Sequence, residues 1–318
     1  MSKKYVIGID VGGTHTRIGQ VNAKGEVLES QMLRTAEYVD AATFLQDLIK
    51  VIKSMIGDQK DSFLGIGMGA PSVNEQNQTI TYAANLNWNS GLDIVYELSE
   101  EFLVPVKLTN DANLLVLAHQ QFDDVLLSDF FVVTLGTGLG AGICCNGNLL
   151  KGKDGFAGEL GHVIVKDSGR SCFCGKKGCL ETYVSANGMI RTVNSLIAQF
   201  NSYEGLLLDL STSDLTAKMI TELAISEDEI AKKALSLTGQ MLGKALANMV
   251  ALFNPQHIYL AGGLTNADQL LLLPTRQSFQ EHLLNVYPDQ ILIENSKFQE
   301  DKGALLGASV LIWQLNES

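Results

Sequence analysis

A histidine and three cysteines lie close together near the middle of the chain. They are His162, Cys172, Cys174 and Cys179. Gly169, Gly175 and Gly178 lie among them and allow the backbone to turn tightly around an ion. Three thiolates and one imidazole form the closed four-ligand set of a structural zinc site. The alternative is a group of unpaired surface thiols, but cysteines exposed at this density would be open to oxidation. The spacing therefore predicts structural zinc.

Two glycine turns of similar composition each follow an apolar run. The first is Gly12-Gly13-Thr14 and the second is Gly136-Thr137-Gly138. Such a turn exposes backbone N–H groups and a hydroxyl, without a side chain that blocks an approaching phosphate. Asp10 comes just before the first turn, where a carboxylate is suited to holding Mg²⁺ through water. Ordinary hairpin turns are the alternative, but two matched copies favour phosphate binding.

A dinucleotide-binding enzyme is the competing interpretation of the second turn. Residues 136–141 satisfy the pattern G-x-G-x-x-A after a predicted strand. That fingerprint requires a helix next, whereas Asn146-Gly147 follows within a few residues and is typical of a β-hairpin. The context therefore argues against an oxidoreductase.

The elements that position these residues repeat along the chain. The order strand, glycine turn, strand, turn, strand occurs at 6–33 and again at 130–150. Apolar periodicity predicts helices at 41–56, 92–102 and 112–121, and strands at 64–68 and 105–109. Beyond residue 185 the chain is predicted to be mainly helical, except for a strand at 257–261. We interpret the repeat as an internal duplication, with a domain boundary near Asn110-Asp111.

Composition excludes several classes of protein. The 318 residues correspond to about two domains. The formal charge of −12 disfavours general nucleic-acid binding, since phosphate backbones would be repelled. With 46% hydrophobic and 18% charged residues, the chain is not of the disordered type. It contains no apolar run long enough to span a membrane and no signal-peptide pattern at its start. Five cysteines, an odd number, are expected to be reduced in a cytoplasm.

Five motifs occur in one order along the chain. They are Asp10-x-Gly12-Gly13-Thr14, Asn110-Asp111-Ala112-Asn113, Leu135-Gly-Thr-Gly-Leu-Gly-Ala-Gly142, Glu159-x-Gly161-His162 and Cys172-x-Cys174-Gly-x-x-Gly-Cys179-Leu-Glu181. Together they resemble the ROK family (repressors, open reading frames and kinases), and the resemblance covers essentially the whole chain. Two further segments, Gly155-Phe-Ala-Gly-Glu159 and Asn85-Leu-Asn-Trp88, resemble the bacterial glucokinases within that family.

The resemblance implies an α/β fold of the duplicated actin-like, ribonuclease-H-like type. In this two-domain ATPase fold, a cleft lies between the lobes. On this basis the N-terminal lobe is predicted to span 1–111, completed by a C-terminal helix at 303–318. The C-terminal lobe is predicted to span 112–302 and to include the zinc-binding segment 162–181. Both lobes agree with the duplication inferred from the repeat.

The resemblance also assigns roles to residues. It implies transfer of the γ-phosphoryl group of Mg-ATP to the 6-hydroxyl of a hexose, with Asp111 as the catalytic base. Spacing alone leaves capping open as the alternative role, since Asn110 or Asp111 could cap the helix that begins at 112. The implied sugar ligands are Asn110, Asp111, Glu159, His162 and Glu181. ATP is expected at Asp10, Gly12, Gly13, Thr14, Gly136, Thr137 and Gly138, with Gly262-Gly263 on the adenosine side.

The resemblance also gives expectations for the sugar and for the assembly. Glucose is the first choice, mannose, fructose and allose are near rivals, and an N-acetylhexosamine is the next alternative. Family repressors carry a DNA-binding segment before the first motif, for which the position of Asp10 leaves no room. A sugar-sensing regulator is the non-enzyme alternative. We expect a cytoplasmic homodimer without nucleic-acid or membrane partners.

Overall fold

The computed structural model describes residues 4–81, 86, 93–200, 203–208, 214–287, 291–298 and 300–316. Contacts between Cα atoms divide the chain into two compact units. The first comprises 1–127, 142–158 and 298–318, and the second comprises 128–141 and 159–297. Asn85, Asn87 and Trp88, which belong to one of the motifs above, lie outside the described residues.

The first unit is built on a five-stranded sheet. Its strands are β1 Tyr5–Val11, β2 Thr16–Asn22, β3 Val27–Leu33, β4 Phe63–Ala70 and, after the short hairpin β5 Val73–Asn74 and β6 Thr79–Ile80, β7 Val106–Asn110. They lie in the order β3-β2-β1-β4-β7. β1, β2 and β3 are successively antiparallel, whereas β4 is parallel to β1 and β7 is parallel to β4. Because β4 and β7 run with β1, the carboxyl ends of all three strands meet at one edge.

Three helices follow these strands in the first unit. They are α1 Ala41–Ile56, α2 Ile94–Phe102 and α3 Asp111–Phe122. In α1, Phe44, Leu48 and Ile52 are fully buried at helical spacing and share a core with the strands. The side chain of Asp40 caps this helix by accepting a hydrogen bond from the N–H of Thr43.

A helix from the end of the chain completes the first unit. This helix, α8 Glu300–Asn316, packs against β1, β4 and α3. Its backbone approaches the sheet so closely that a Cβ at Gly67 would overlap the carbonyl oxygen of Ala308. A Cβ at Gly8 would likewise overlap the carbonyl oxygen of Leu305. Glycine is therefore required in both central strands by contact with α8 rather than by any turn.

The second sheet has the same plan as the first. Its strands are β8 Phe130–Leu135, β9 Leu139–Cys145, β10 Asn148–Leu149, β11 His257–Ala261 and β12 Leu292–Asn295. They lie in the order β10-β9-β8-β11-β12, in which β11 is parallel to both β8 and β12. In both sheets three consecutive strands are followed by two strands from later in the chain. The strand order therefore agrees with the predicted duplication.

The second unit also contains helices. They are α4 Ala186–Ile197, α5 Ala217–Ile225, α6 Glu229–Phe253 and α7 Gln269–His282. The most extensive helix contact is between α6 and α7, and Phe253 at the end of α6 packs edge-on against Phe131 of β8. No helix among the described residues is long and apolar enough to cross a membrane.

The division into units differs from the boundary predicted at Asn110-Asp111. α3 begins at that point but packs against α8, so the first unit continues to residue 127. Residues 142–158 also belong to the first unit, although they were predicted in the second lobe. The C-terminal segment that joins the first unit starts at 298, close to the predicted start at 303. Because α3 and α8 are far apart in the sequence, no local sequence pattern predicts their contact.

Candidate active site

The four predicted zinc ligands come together in the second unit. The ligand atoms of His162, Cys172, Cys174 and Cys179 all lie within 4.8 Å of one another. Nδ1 of His162 is 3.6 Å from Sγ of Cys172, and the Sγ atoms of Cys174 and Cys179 are 3.6 Å apart. Tetrahedral zinc with three thiolates and one imidazole has ligand–ligand edges of about 3.5–3.8 Å. The donor set and its geometry therefore fit a structural zinc ion.

Short backbone pairings shape this cluster. Cys179 forms an antiparallel bridge with Ile164, and Ser171 forms another with Lys177. Between them, the N–H of Gly175 donates to the carbonyl of Cys172, which closes a tight turn. These pairings bring three thiols from an eight-residue stretch onto the imidazole of His162. The fold of the segment is thus local, and its spacing could be recognised in the sequence.

The thiols influence one another's ionisation strongly. Burial, together with sulfur contacts to Cys174 and Cys172, raises the pKa of Cys179 to about 12. Burial also raises the pKa of Cys172. At Cys174 burial acts in the same direction, but hydrogen bonds with the Lys176 backbone and the other two thiols outweigh it and lower the pKa. Cys172 and Cys179 therefore favour the protonated thiol, and a metal that binds there must displace protons.

Two carboxylates flank the thiol cluster. Glu159 places Oε2 at 3.9 Å from Nε2 of His162, on the ring edge opposite the nitrogen that faces Cys172. Glu181 accepts a hydrogen bond of 3.0 Å from the N–H of Leu139 through Oε2. Its other oxygen lies 4.0 Å from Sγ of Cys172. The structure thus gathers Glu159, His162 and Glu181, the three predicted ligands of the second unit, around one cluster.

The second glycine turn lies directly against Glu181. A Cβ at Gly138 would stand only 2.5 Å from Oε2 of Glu181, so a larger residue would displace the carboxylate. The N–H of Gly136 donates to the carbonyl of Gly138 and closes the turn. Gly262 adjoins this turn too, since its Cβ would meet the backbone of Leu135 at 2.6–2.8 Å. The predicted residues 136–138 and Gly262 are therefore neighbours, and packing against β8 gives a further reason for glycine at 262.

The first glycine turn has a different charged neighbour. The N–H of Gly12 donates to the carbonyl of His15, which closes a four-residue turn between β1 and β2. Asp10 pairs in register with Arg17 across the two strands, and their charged groups are 3.7 Å apart. The Asp10 side chain is mostly buried, with 14% of its surface exposed at the end of β1. Asp10 and the turn thus belong to one local structure.

Asn110 and Asp111 lie where β7 ends and α3 begins. Asn110 is the N-cap, with its side-chain oxygen 3.0 Å from the N–H of Ala112. Asp111 accepts from the same N–H at 2.8 Å, and the residue is exposed. Asn110 therefore occupies the N-cap position, and both side chains share the N–H of Ala112. The carboxylate of Asp111 lies at the positive end of the helix dipole.

Glu75 forms a buried network beside this corner that the sequence did not single out. Its side chain is only 6% exposed, and it forms an ion pair of 2.9 Å with Lys151. It also accepts hydrogen bonds from the hydroxyl of Thr109 and from the side-chain amide of Asn113. Its partners lie 34, 38 and 76 residues away, so no local pattern marks it. A buried glutamate with three donor partners can be recognised only in the folded structure.

Comparison with known proteins gives the context for these groups. The profile of the ROK family matches residues 6–314. A glucokinase of Halalkalibacterium halodurans is 31% identical over 99% of this chain and 97% of its own length. A xylose repressor of Caldicellulosiruptor bescii is 27% identical over 96% of this chain and 77% of its own length.

A solved structure shares the fold over nearly the whole chain. It is a ROK family glucokinase from Streptomyces griseus in complex with glucose and AMPPNP. The two chains are 27% identical, with a TM-score of 0.81, and 98% of this chain is covered. The predicted fold class, an α/β protein of the actin-like two-domain ATPase type, is confirmed by this likeness. The family match spans both units, and the chain belongs to the ROK family.

Proposed function

We propose that this protein is a sugar kinase that transfers the γ-phosphoryl group of ATP to the 6-hydroxyl of a hexose. The observation that carries the proposal is the position of Asp111. Asn110 and Asp111 both accept from the N–H of Ala112, and Asp111 is exposed at the end of β7, where a ligand can reach its carboxylate. A carboxylate there can accept the proton of an attacking hydroxyl, which is the main covalent task in phosphoryl transfer.

Hydroxyl groups of the sugar are bound by carboxylates and an amide. Asn110 and Asp111 take one part of the sugar, and Glu159, His162 and Glu181 take another. A carboxylate accepts hydrogen bonds from neighbouring hydroxyls well, since charge-assisted bonds are the stronger ones. The contact of 3.9 Å between Glu159 and His162 supports their joint role.

The two glycine turns take the phosphate groups of ATP. Gly12, Gly13 and Thr14 form one set, and Gly136, Thr137 and Gly138 form the other. Asp10 holds Mg²⁺ through water beside the first turn. Gly262 and Gly263 lie on the adenosine side, and the packing of Gly262 against Leu135 supports this placement.

Zinc is the structural metal of the proposal, held by His162, Cys172, Cys174 and Cys179. When bound, it supplies a fixed orientation of the His162 ring and no reacting group. Nδ1 of His162 faces Cys172 and Nε2 faces Glu159, so with zinc held through Nδ1 the proton would be on Nε2. Zinc thus fixes both the tautomer and the direction of the imidazole.

Glucose is the proposed sugar, with mannose, fructose and N-acetylhexosamines as the alternatives. A panel of these sugars, assayed for ADP release with Mg-ATP, tests the function and ranks the substrates. The position of the new phosphate is identified by phosphorus NMR. Formation of no sugar phosphate from any hexose would refute the proposal.

Asp111→Asn is the variant that tests the base. We expect kcat to fall by at least about 10²-fold, because loss of a general base costs that order. Binding of the sugar, measured by calorimetry, should persist, since asparagine keeps the shape. Asp58→Asn removes an exposed carboxylate from a loop of the same unit and serves as the matched control. A kcat near that of the wild type would show that Asp111 is not the catalytic base.

A sugar-sensing regulator is the second candidate, because a curated repressor matches 96% of this chain. The two functions differ in turnover: a regulator binds sugar without consuming ATP. The hexose panel therefore separates them. Localisation in the cytoplasm and a homodimer stay predictions, and sedimentation at micromolar concentration measures the second.

A further inference from the structure

Glu75 is a buried carboxylate that holds three segments of the first unit at once. One oxygen accepts from the hydroxyl of Thr109 and the amide of Asn113, and the other is 2.9 Å from the ammonium of Lys151. Thr109 and Asn113 are 0% and 1% exposed, so the network is closed to water on that side. The amide of Asn113 also donates to the hydroxyl of Thr109 at 3.2 Å. These four side chains are therefore mutually fixed.

Neighbouring residues of the β5–β6 hairpin strengthen the same attachment. Gln78 exchanges two hydrogen bonds with the backbone of Leu108, at 2.8 and 2.9 Å. The amide of Gln76 donates to the carbonyl of Lys153 at 2.6 Å. Gly155 has a φ of +93°, and its Cβ would lie 3.0 Å from the side chain of Glu75. The hairpin is thus bonded to β7 on one side and to the 151–155 segment on the other.

Both attached segments lead directly into residues of the proposed site. Thr109 precedes Asn110, and Asn113 lies within the first turn of α3. The 151–155 segment continues through Gly158 to Glu159. We infer that Glu75 is a positioning residue for sugar phosphorylation, which holds the β7–α3 corner and the 151–155 segment in the geometry that the reaction needs. The inference rests on the proposed function.

The chemistry of this network explains why a glutamate is needed at position 75. A buried carboxylate costs free energy unless its lone pairs are bonded and its charge is balanced. Thr109, Asn113 and Lys151 together meet both conditions. An apolar residue of the same size would fill the space but would bond none of the three segments. Removing the charge alone would leave the ammonium of Lys151 facing an amide.

Glu75→Gln is the variant that tests the inference. We expect kcat with the preferred hexose to fall about 10- to 100-fold, since small displacements of reacting groups have effects of that size. The KM for ATP should stay within about twofold, because the glycine turns are not part of the network. Lys151→Gln should also lower kcat, by about 10-fold, since it removes the ion pair that joins Glu75 to the 151–155 segment and leaves a buried charge unbalanced.

Gln20→Leu is the matched control for lost stability. Gln20 is 7% exposed, and its amide donates to the carbonyl of Met55 in the same unit. This variant should lower Tm as much as Glu75→Gln does while kcat stays within about twofold of the wild type. Equal losses of kcat in the two variants, or a normal kcat in Glu75→Gln, would overturn the inference.

Two further measurements separate this inference from the proposed function. A double-mutant cycle of Glu75→Gln with Thr109→Val should show strong non-additivity in kcat, because both changes break one network. Hydrogen exchange needs no activity: Glu75→Gln should speed exchange in peptides covering 106–116 and 150–158, and Gln20→Leu should not. An inactive wild type refutes the function, whereas unchanged exchange in both peptides refutes the positioning role.

Discussion

The two glycine turns follow equivalent strands but obtain their carboxylates in different ways. In the first turn the carboxylate is part of the preceding strand: Asp10 stands two residues before Gly12 and pairs with Arg17. In the second, Thr134 occupies the matching place, and the carboxylate of Glu181 comes from the segment behind the thiol cluster. The two repeats therefore share the turn but differ in the segment that supplies the carboxylate. The second turn depends on the thiol cluster, and the first does not.

Among variants of the two glycine turns, Asp10→Asn should have the largest effect, and it tests the comparison most directly. We expect kcat to fall about 10²-fold, because a charge that balances the metal and phosphates is lost. Thr134→Val at the matching position of β8 should change kcat by less than about threefold. Steady-state kinetics across a Mg²⁺ titration measure both. Similar losses in the two variants would mean that the turns have the same role.

Cys174→Ser should separate the turns by their dependence on zinc. The hexose KM should rise about tenfold or more, because ligand and orienting residues act together around a metal. The KM for ATP should change far less. Metal analysis should find about one zinc per wild-type chain and less in the variant. Cys145→Ser, on β9 and outside the cluster, should match the wild type in both respects.

Alanine at Gly138 and at Gly12 should affect different substrates. At Gly138 the methyl group would displace Glu181, so we expect the hexose KM to rise about fivefold. At Gly12 it would stand 2.9 Å from the carbonyl oxygen of His15 and distort the turn itself. That variant should raise the KM for ATP instead. Measuring both KM values in both variants is the test, and the reverse pattern would contradict the comparison.

Arg17→Gln should have the smallest effect. Arg17 pairs with Asp10 at 3.7 Å and with Asp301 at 2.6 Å, and both pairs are partly exposed. Such pairs contribute about 1 kcal/mol or less to the free energy of unfolding. We expect a change of that size in urea unfolding and a kcat within about twofold. A loss of kcat close to that of Asp10→Asn would show that the pair, and not the carboxylate alone, serves the first turn.

What could be predicted from the sequence depends on the distance between partners. The thiol cluster forms within 18 residues, and each glycine turn joins adjacent strands, so their patterns were visible. Glu75 escaped notice because its partners are 34 to 76 residues away. The contact of Glu181 with the second turn spans 42 residues and was missed for the same reason. β12 was missed because it has only four residues, of which Leu292 and Glu294 are exposed.

The close fit of α8 on β1 and β4 has a consequence for synthesis on the ribosome. The first unit is discontinuous in sequence, and its final segment begins about 170 residues after residue 127. At roughly 5–20 residues per second, translation needs about 10 to 30 s to supply it. During that interval the bare backbone at Gly8 and Gly67 has no helix over it. Synthesis of the first unit therefore starts before that of the second unit and ends after it. Until then its sheet is incomplete, and this is the part of the nascent chain that chaperones must protect.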